Sequence, residues 1–395
     1  MQRLTADRPE TQSLDGITQN LTRLQDLFPE AFTEGRLDFD VLRGLLGDQI
    51  DDRPEKYGLS WNGKARARRH ALTPTRATLR PDRECSVDWD GTGNLMIEGD
   101  NLEVLKLLQR SYAGKVKLIY IDPPYNTGKD FVYPDDYTDS LRNYRELTGQ
   151  LEEGRRVSSN TESSGRFHTD WLNMMYPRLK LARELLRDDG AILISIGDEE
   201  VGNTRAVLDE VFGQENLSGI MVITRSEGGG LASQMIKGHD YLFVYAKNIS
   251  SFRPLRRPKD IRGEIVEVEG KTYWIEEDWL RREFGKYGTC EYDEIIHYHG
   301  DRKKKEIDDG IHEGIYRLIN KKDGRIIVGR LRDVEQDSSK LYSIQKHLNS
   351  KASDDLEPLE MGVAFSYPKP TSLIKEVVLG GSFFSSLGVK SQGEV

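Results

Sequence analysis

Between Asn94 and Tyr245 the chain alternates short apolar runs with stretches of helical periodicity, and this alternation leaves few folds open. Leu95-Met96-Ile97 reads as a short strand, turned by Gly99-Asp100 into a helix from Asn101 to Gln109. Asp100 is placed to cap that helix, with Glu103 as its reciprocal partner, and Leu102, Leu105 and Leu108 or Gln109 mark one face. Val116 to Ile121 is the next strand. Asp170 to Arg187 carries Trp171, Met174, Met175, Leu179, Ala182 and Leu186 at helical spacing, with Pro177 expected to kink it. Ala191 to Ile196 is nearly all apolar, as a parallel strand covered on both faces would be. A helix from Glu199 to Phe212 follows, then strands at Ile220–Arg225 and Tyr241–Tyr245. Strands alternating with helices of this length predict a doubly wound, Rossmann-like α/β sheet.

The flanks differ. Residues 1–85 are polar and mixed, with helices predicted over Ile17–Phe28, stopped by Pro29, and over Asp38–Leu46. Residues 86–247 hold the alternating part. From 248 to 358 the rhythm breaks into short β-prone pieces, charge and aromatics, which predicts a separate domain, and 359–395 follows it.

One word carries chemistry. Asp122-Pro123-Pro124-Tyr125-Asn126-Thr127-Gly128 follows directly on the Val116 strand, and in open α/β sheets ligands bind beyond the carboxyl ends of strands. Two prolines make a stiff turn without a backbone donor at either residue. A carboxylate and a carbonyl oxygen are thereby fixed at one point beside an aromatic ring. An exocyclic amine conjugated with a base needs such a pair: Asp122 and the Pro123 carbonyl hold its two hydrogens, and the lone pair turns toward an incoming methyl group. Tyr125 would stack on the base, which must leave the duplex to be reached. The gain is orientation and electrostatics. The plainer alternative is a proline-stiffened turn with a buried tyrosine.

Charge narrows the partners. With 57 basic and 66 acidic residues the net charge is −9, which excludes a small cationic coat protein but not an enzyme with a local basic groove. Lys64, Arg66, Arg68 and Arg69 open a stretch to Arg80 that has no acidic residue, and further runs lie at Arg253–Lys259 and Arg302–Lys305. Arg281 and Arg282 sit among aromatics, a set that can read bases and grip phosphates or equally form a small core with a charged face. Two cysteines, Cys85 and Cys290, make neither a disulfide framework nor a zinc site, and His297 and His299 add no ligand spacing, so no metal is implied. No apolar run reaches a membrane span and no signal peptide is evident, which together predict a cytoplasmic protein. His168 reads as a structural histidine at a helix start. Asp198-Glu199-Glu200 reads as acidic residues favourably placed at another.

The Asp122 word, with Gly58–Lys64, Gly99–Leu102, Thr169–Leu179, Ser195–Glu200, His239-Asp240-Tyr241 and Lys369-Pro370, resembles the modification (Mod) subunits of Type III restriction–modification systems, β-class adenine-N6 DNA methyltransferases. The matching words extend to Lys56-Tyr57, Gly165-Arg166-Phe167-His168, Tyr245-Ala246-Lys247-Asn248 and Tyr367-Pro368. The resemblance implies a circularly permuted methyltransferase sheet, S-adenosylmethionine as donor, and a target-recognition domain at 248–358. It implies Asp122, Pro123, Pro124 and Tyr125 as catalytic. Asp122, Lys369, Pro370 and Asp100 are the candidates for the donor site. Lys64, Arg66, Arg68, Arg69, Arg281, Arg282 and His239 are the candidates for DNA contact. Double-stranded DNA, a second Mod copy and a helicase–nuclease Res subunit are the implied partners.

One departure bears on activity. A Phe-x-Gly-x-Gly donor loop should follow Lys375, yet the chain reads Val377-Val378-Leu379-Gly380-Gly381-Ser382-Phe383-Phe384. The sheet and donor half are therefore expected to be incomplete, and a catalytically incomplete DNA-binding fragment is the alternative function. Methyl transfer to cytosine, RNA or protein is a third.

Overall fold

The amino-terminal helices begin where an aspartate can cap them. Asp15 accepts from the amides of Ile17 and Thr18 at the start of α1 (Gly16–Leu27), and Asp38 from those of Asp40 and Val41 at the start of α2 (Phe39–Leu46). The computed structural model describes residues 13, 15–33, 35–47, 58–127, 151–152, 155–156, 167–226, 235–283, 288–359, 361 and 368–382. Lys56-Tyr57, Gly128, Gly165-Arg166, Tyr367, the tail from Phe383 and most of residues 148–165 lie outside them. The chain divides into two compact units, Met1–Arg253 with Tyr342–Leu373, and Pro254–Leu341 with Ile374–Val395.

The first unit continues through α3 (Lys64–Leu72), α4 (Asn101–Tyr112), β1 (Val116–Ile121), α5 (Phe167–Leu185), β2 (Leu186–Ile196), α6 (Val201–Phe212), β3 (Leu217–Thr224) and β4 (His239–Ala246). The second holds β5 (Arg256–Pro258), β6 (Ile265–Val268), β7 (Lys271–Glu276), α7 (Ile295–His312), β8 (Tyr316–Asn320), β9 (Ile326–Asp333) and β10 (Ser338–Lys340). The chain then returns to the first unit as β11 (Ile344–Lys346) and α8 (Asn349–Leu356), and α9 (Thr371–Gly381) crosses the boundary.

The central sheet has the order β11-β3-β4-β2-β1. It corrects the doubly wound expectation in part, because it is mixed. β1 runs parallel to β2 and β11 parallel to β3, while β4 lies antiparallel to both neighbours. The reason is the connection. No helix lies between β3 and β4 among the described residues, and a parallel return needs a crossover, usually helical.

β2 is covered on both faces, as its composition demands. Ile192, Ile194 and Ile196 join Trp171, Met175 and Leu179 of α5, Val207, Leu208 and Phe212 of α6, and Phe243 and Tyr245 of β4. The alternate positions Ala191, Leu193, Leu242 and Val244 are buried as well. Each such aliphatic or aromatic side chain contributes about 1.5–3 kcal/mol. At Gly190 an added Cβ would lie 3.0 Å from the carbonyl oxygens of Val116 and Lys117, so a side chain there would press β2 away from β1 by a few tenths of an ångström. Pro177 sits inside one continuous helix, and α5 ends at Leu185 so that Leu186 already belongs to β2.

Two local expectations fail. Leu95–Ile97 forms no strand, and Met96 is 92% exposed, because these residues find no ladder partner. Asp100 does cap α4, but Glu103 turns to Lys106 at 2.9 Å instead of reaching back.

The second unit is built on an antiparallel sheet β6-β7-β9-β8, with β5 paired to β10. Its small core gathers Leu280, Cys290, Ile295, Ile307 and Val328. Among the described residues no helix is long and apolar enough to cross a membrane.

Candidate active site

β1 delivers Asp122 at the carboxyl end of the sheet, and the two prolines then hold the chain in an extended turn. Pro123 is buried, and the Trp171 indole N–H of α5 donates to the Pro124 carbonyl at 2.8 Å. Among the described residues no donor reaches the Pro123 carbonyl, so one of the two proline oxygens is structurally committed and the other is open.

Lys369 closes the site from the other end of the sequence. Its ammonium lies 3.0 Å from an Asp122 carboxylate oxygen and 4.7 Å from the centroid of the Tyr125 ring. It precedes α9, whose first residue, Thr371, donates its amide and hydroxyl to Asp355 at 3.0 and 2.6 Å. The Tyr125 ring rests on Gly197, where an added Cβ would come within 3.0 Å of it. The Tyr125 hydroxyl is buried without a partner among the described residues, and burial pushes its phenol up.

Two further groups line this end of the sheet. Asp240 of β4 is buried with Arg225 at 3.6 Å; burial pushes its carboxyl up, against the pull of Arg225 and Lys369. Tyr120 shares a 2.8 Å hydrogen bond with Ser195, and burial raises its phenol too.

Asn126 takes a left-handed conformation, φ 57°, and donates its side-chain amide to Glu200 Oε1 at 2.5 Å. Glu200 is fully buried and also meets His168 Nδ1 and the Asn203 amide, each at 2.8 Å. Asp198 and Glu199 pair with Lys237 at 3.7 and 2.8 Å.

The remaining sequence candidates are placed less centrally. Asp100 is occupied by the amides of Leu102 and Glu103 at 2.8 and 3.2 Å, with Arg178 at 3.7 Å, so its carboxylate serves the helix it caps. On α3, Lys64 and Arg68 both turn to Glu210, at 2.7 and 3.4 Å, while Arg66 and Arg69 are exposed. In the second unit Arg282 pairs with Glu291 and Glu294 at 3.1 and 2.7 Å, and Arg281 lies 3.9 Å from Asp278. His239 Nε2 is 3.1 Å from the Tyr241 hydroxyl. Phe284–Tyr287 lie outside the described residues, and among the described ones no cluster could hold a metal ion.

Sequence reasoning read Trp171 as core and Glu200 as a charge at a helix start. The signal for Glu200 was positional: its segment leaves the carboxyl end of β2 as Asp122 leaves that of β1.

The family profile described as DNA methylase matches residues 116–384, from the first residue of β1 onward. The chain belongs to the DNA methylase family. Among curated relatives, this chain is 34% identical over 315 residues to the Type III restriction-modification enzyme EcoP15I Mod subunit of Escherichia coli, covering 77% of this chain and 48% of that one. The EcoPI Mod subunit of Escherichia phage P1 is 31% identical over 423 aligned positions, 94% of this chain and 65% of the relative. The StyLTI Mod subunit of Salmonella typhimurium strain LT2 is 37% identical over 246 residues, 58% and 37% respectively. The chain thus spans less than two thirds of the length of each of these relatives.

Proposed function

We propose that this methylase transfers a methyl group from S-adenosylmethionine to adenine N6 in a specific DNA sequence, as the modification subunit of a Type III restriction–modification system. The observation that carries the reading is the pair of acceptors at the end of β1, the Asp122 carboxylate beside the open Pro123 carbonyl. The base amine is a poor nucleophile while its lone pair is delocalised. Asp122 accepts one of its hydrogens and the Pro123 carbonyl the other, which draws the nitrogen toward tetrahedral geometry; Pro124, held by Trp171, sets the angle of the turn. Tyr125 stacks on the extruded base. The proton that the methylated nitrogen sheds passes to Asp122.

The donor supplies an electrophilic methyl group on sulfur. The residues present fit its amino-acid end: Lys369 would hold the carboxylate and Asp240 or Asp122 the ammonium. The unpartnered Tyr125 hydroxyl is a buried polar atom that a bound polar group would satisfy. On this reading residues 86–247 and 359–395 belong to a permuted methyltransferase domain, and 248–358 to the region that reads the target. Double-stranded DNA, a second Mod copy and a Res subunit are the partners, and the cytoplasm is the compartment.

Base-resolved mapping of methyl marks on mixed-sequence DNA, after incubation with the purified chain and donor, tests the reading. Marks at adenine N6 within one short sequence support it. Marks on cytosine, or none from folded protein, contradict it.

A further inference from the structure

We propose that Glu200 is the positioning residue of the catalytic turn, acting through Asn126. The inference rests on the reading of Asp122–Tyr125 as the methyl-transfer site and adds a residue to its machinery. Asn126 follows the tyrosine directly and sits at φ 57°, in the left-handed region that asparagine enters more readily than other residues with a side chain. From there its side-chain amide donates a 2.5 Å hydrogen bond to Glu200 Oε1, which ties the residue after the tyrosine to a buried carboxylate.

The anchor is itself fixed. A fully buried carboxylate needs donors, and Glu200 has three from three separate pieces of chain: Asn126 of the turn, His168 of α5 and Asn203 of α6. The same segment carries Gly197, which floors the Tyr125 ring. Residues 197–200 therefore seat the aromatic ring and pin the residue after it. Loss of the pin frees Tyr125 and Asn126 to move relative to Asp122, whose own place is set by β1. Rates of this kind of reaction are sensitive to such displacement, about 100-fold for 1 Å.

The test exchanges donor and acceptor. Glu200→Gln removes the charge, Asn126→Asp sets two carboxylates against each other, and the double variant restores one amide and one carboxylate with their sides swapped. Each single variant is expected to lower kcat about tenfold or more, with KM for DNA and for donor within about twofold, and the double variant to recover most of the loss. Single-variant losses that multiply in the double variant, or a Glu200→Gln enzyme with wild-type kcat, would overturn the proposal. Deuterium uptake in residues 122–127 of the free protein separates this from failure of the functional reading. If the wild-type chain transfers no methyl group, that reading falls. Uptake that still rises in both single variants and returns in the double one sustains Glu200 as the pin, and uptake unchanged by Glu200→Gln overturns it.

Discussion

Asp240 in the first unit and Glu276 and Asp337 in the second are withdrawn from solvent to the same degree, each 6% exposed, and they are held in opposite ways. Glu276 takes hydrogen bonds from Lys259 and Arg330, and Asp337 takes them from Trp274 and Arg332. Burial alone would raise both carboxyls, but these partners outweigh it and hold them below the usual range. Asp240 has Arg225 at 3.6 Å, faces the like charge of Asp122, and is pushed up by burial. The second unit uses its buried charges as staples between strands. The first leaves one poorly compensated beside the Asp122 turn, an arrangement that structural needs alone do not favour and that functional sites commonly show.

The same substitution should therefore have opposite consequences in the two units. Asp337→Asn strips Arg332 of its charge partner and is expected to destabilise the protein by about 3 kcal/mol, measured by denaturant unfolding. A cost under about 1 kcal/mol would break the comparison. Next in size, Lys369→Met removes the cation beside Asp122 while keeping the stem over Tyr125. It should reduce transfer about 30-fold, with a raised KM for the donor. An unchanged rate would remove Lys369 from the site.

The smallest effect is the most diagnostic. The raised carboxyl of Asp240 contributes stability below the ordinary aspartate pKa of about 4, and loses it as pH rises through the raised value. Asp240→Asn should thus melt at or slightly above the wild-type temperature at pH 7–8, and the difference should shrink toward pH 4. Asp337 and Glu276 behave in reverse: their contribution is present above the ordinary carboxylate pKa and is lost as pH falls through their lowered values. A melting point that falls at pH 7 in Asp240→Asn would mean that Asp240 is a staple as well.

Much of the first unit was legible because its signals are local. The apolar run at Ala191–Ile196 has to be covered on both faces, and a proline pair after a strand has to make a rigid turn. Strand direction was not legible, since a period of two is the same in parallel and antiparallel pairing, and β4 took the antiparallel place. Nor was β11: Ile344-Gln345-Lys346 is a strand only because β3 offers a ladder. At the site, Asp122 and Tyr125 were visible as a word. The partners that aim the turn were not: Lys369 entered only through the family resemblance, and Trp171 and Glu200 come from remote stretches and each has an ordinary reading where it stands. The same holds for the charge runs. The basic residues of α3 look free in sequence, and folding commits Lys64 and Arg68 to Glu210.

On the proposed reading the Asp122 turn holds the amine while DNA is bound elsewhere. The direct measurement is labelled methyl transfer to DNA and DNA affinity, side by side, for the wild-type chain and Asp122→Ala. Transfer is expected to fall by about 1,000-fold or more with affinity within about twofold. Transfer that survives within about tenfold, or affinity that falls in step with it, would contradict the role given to Asp122.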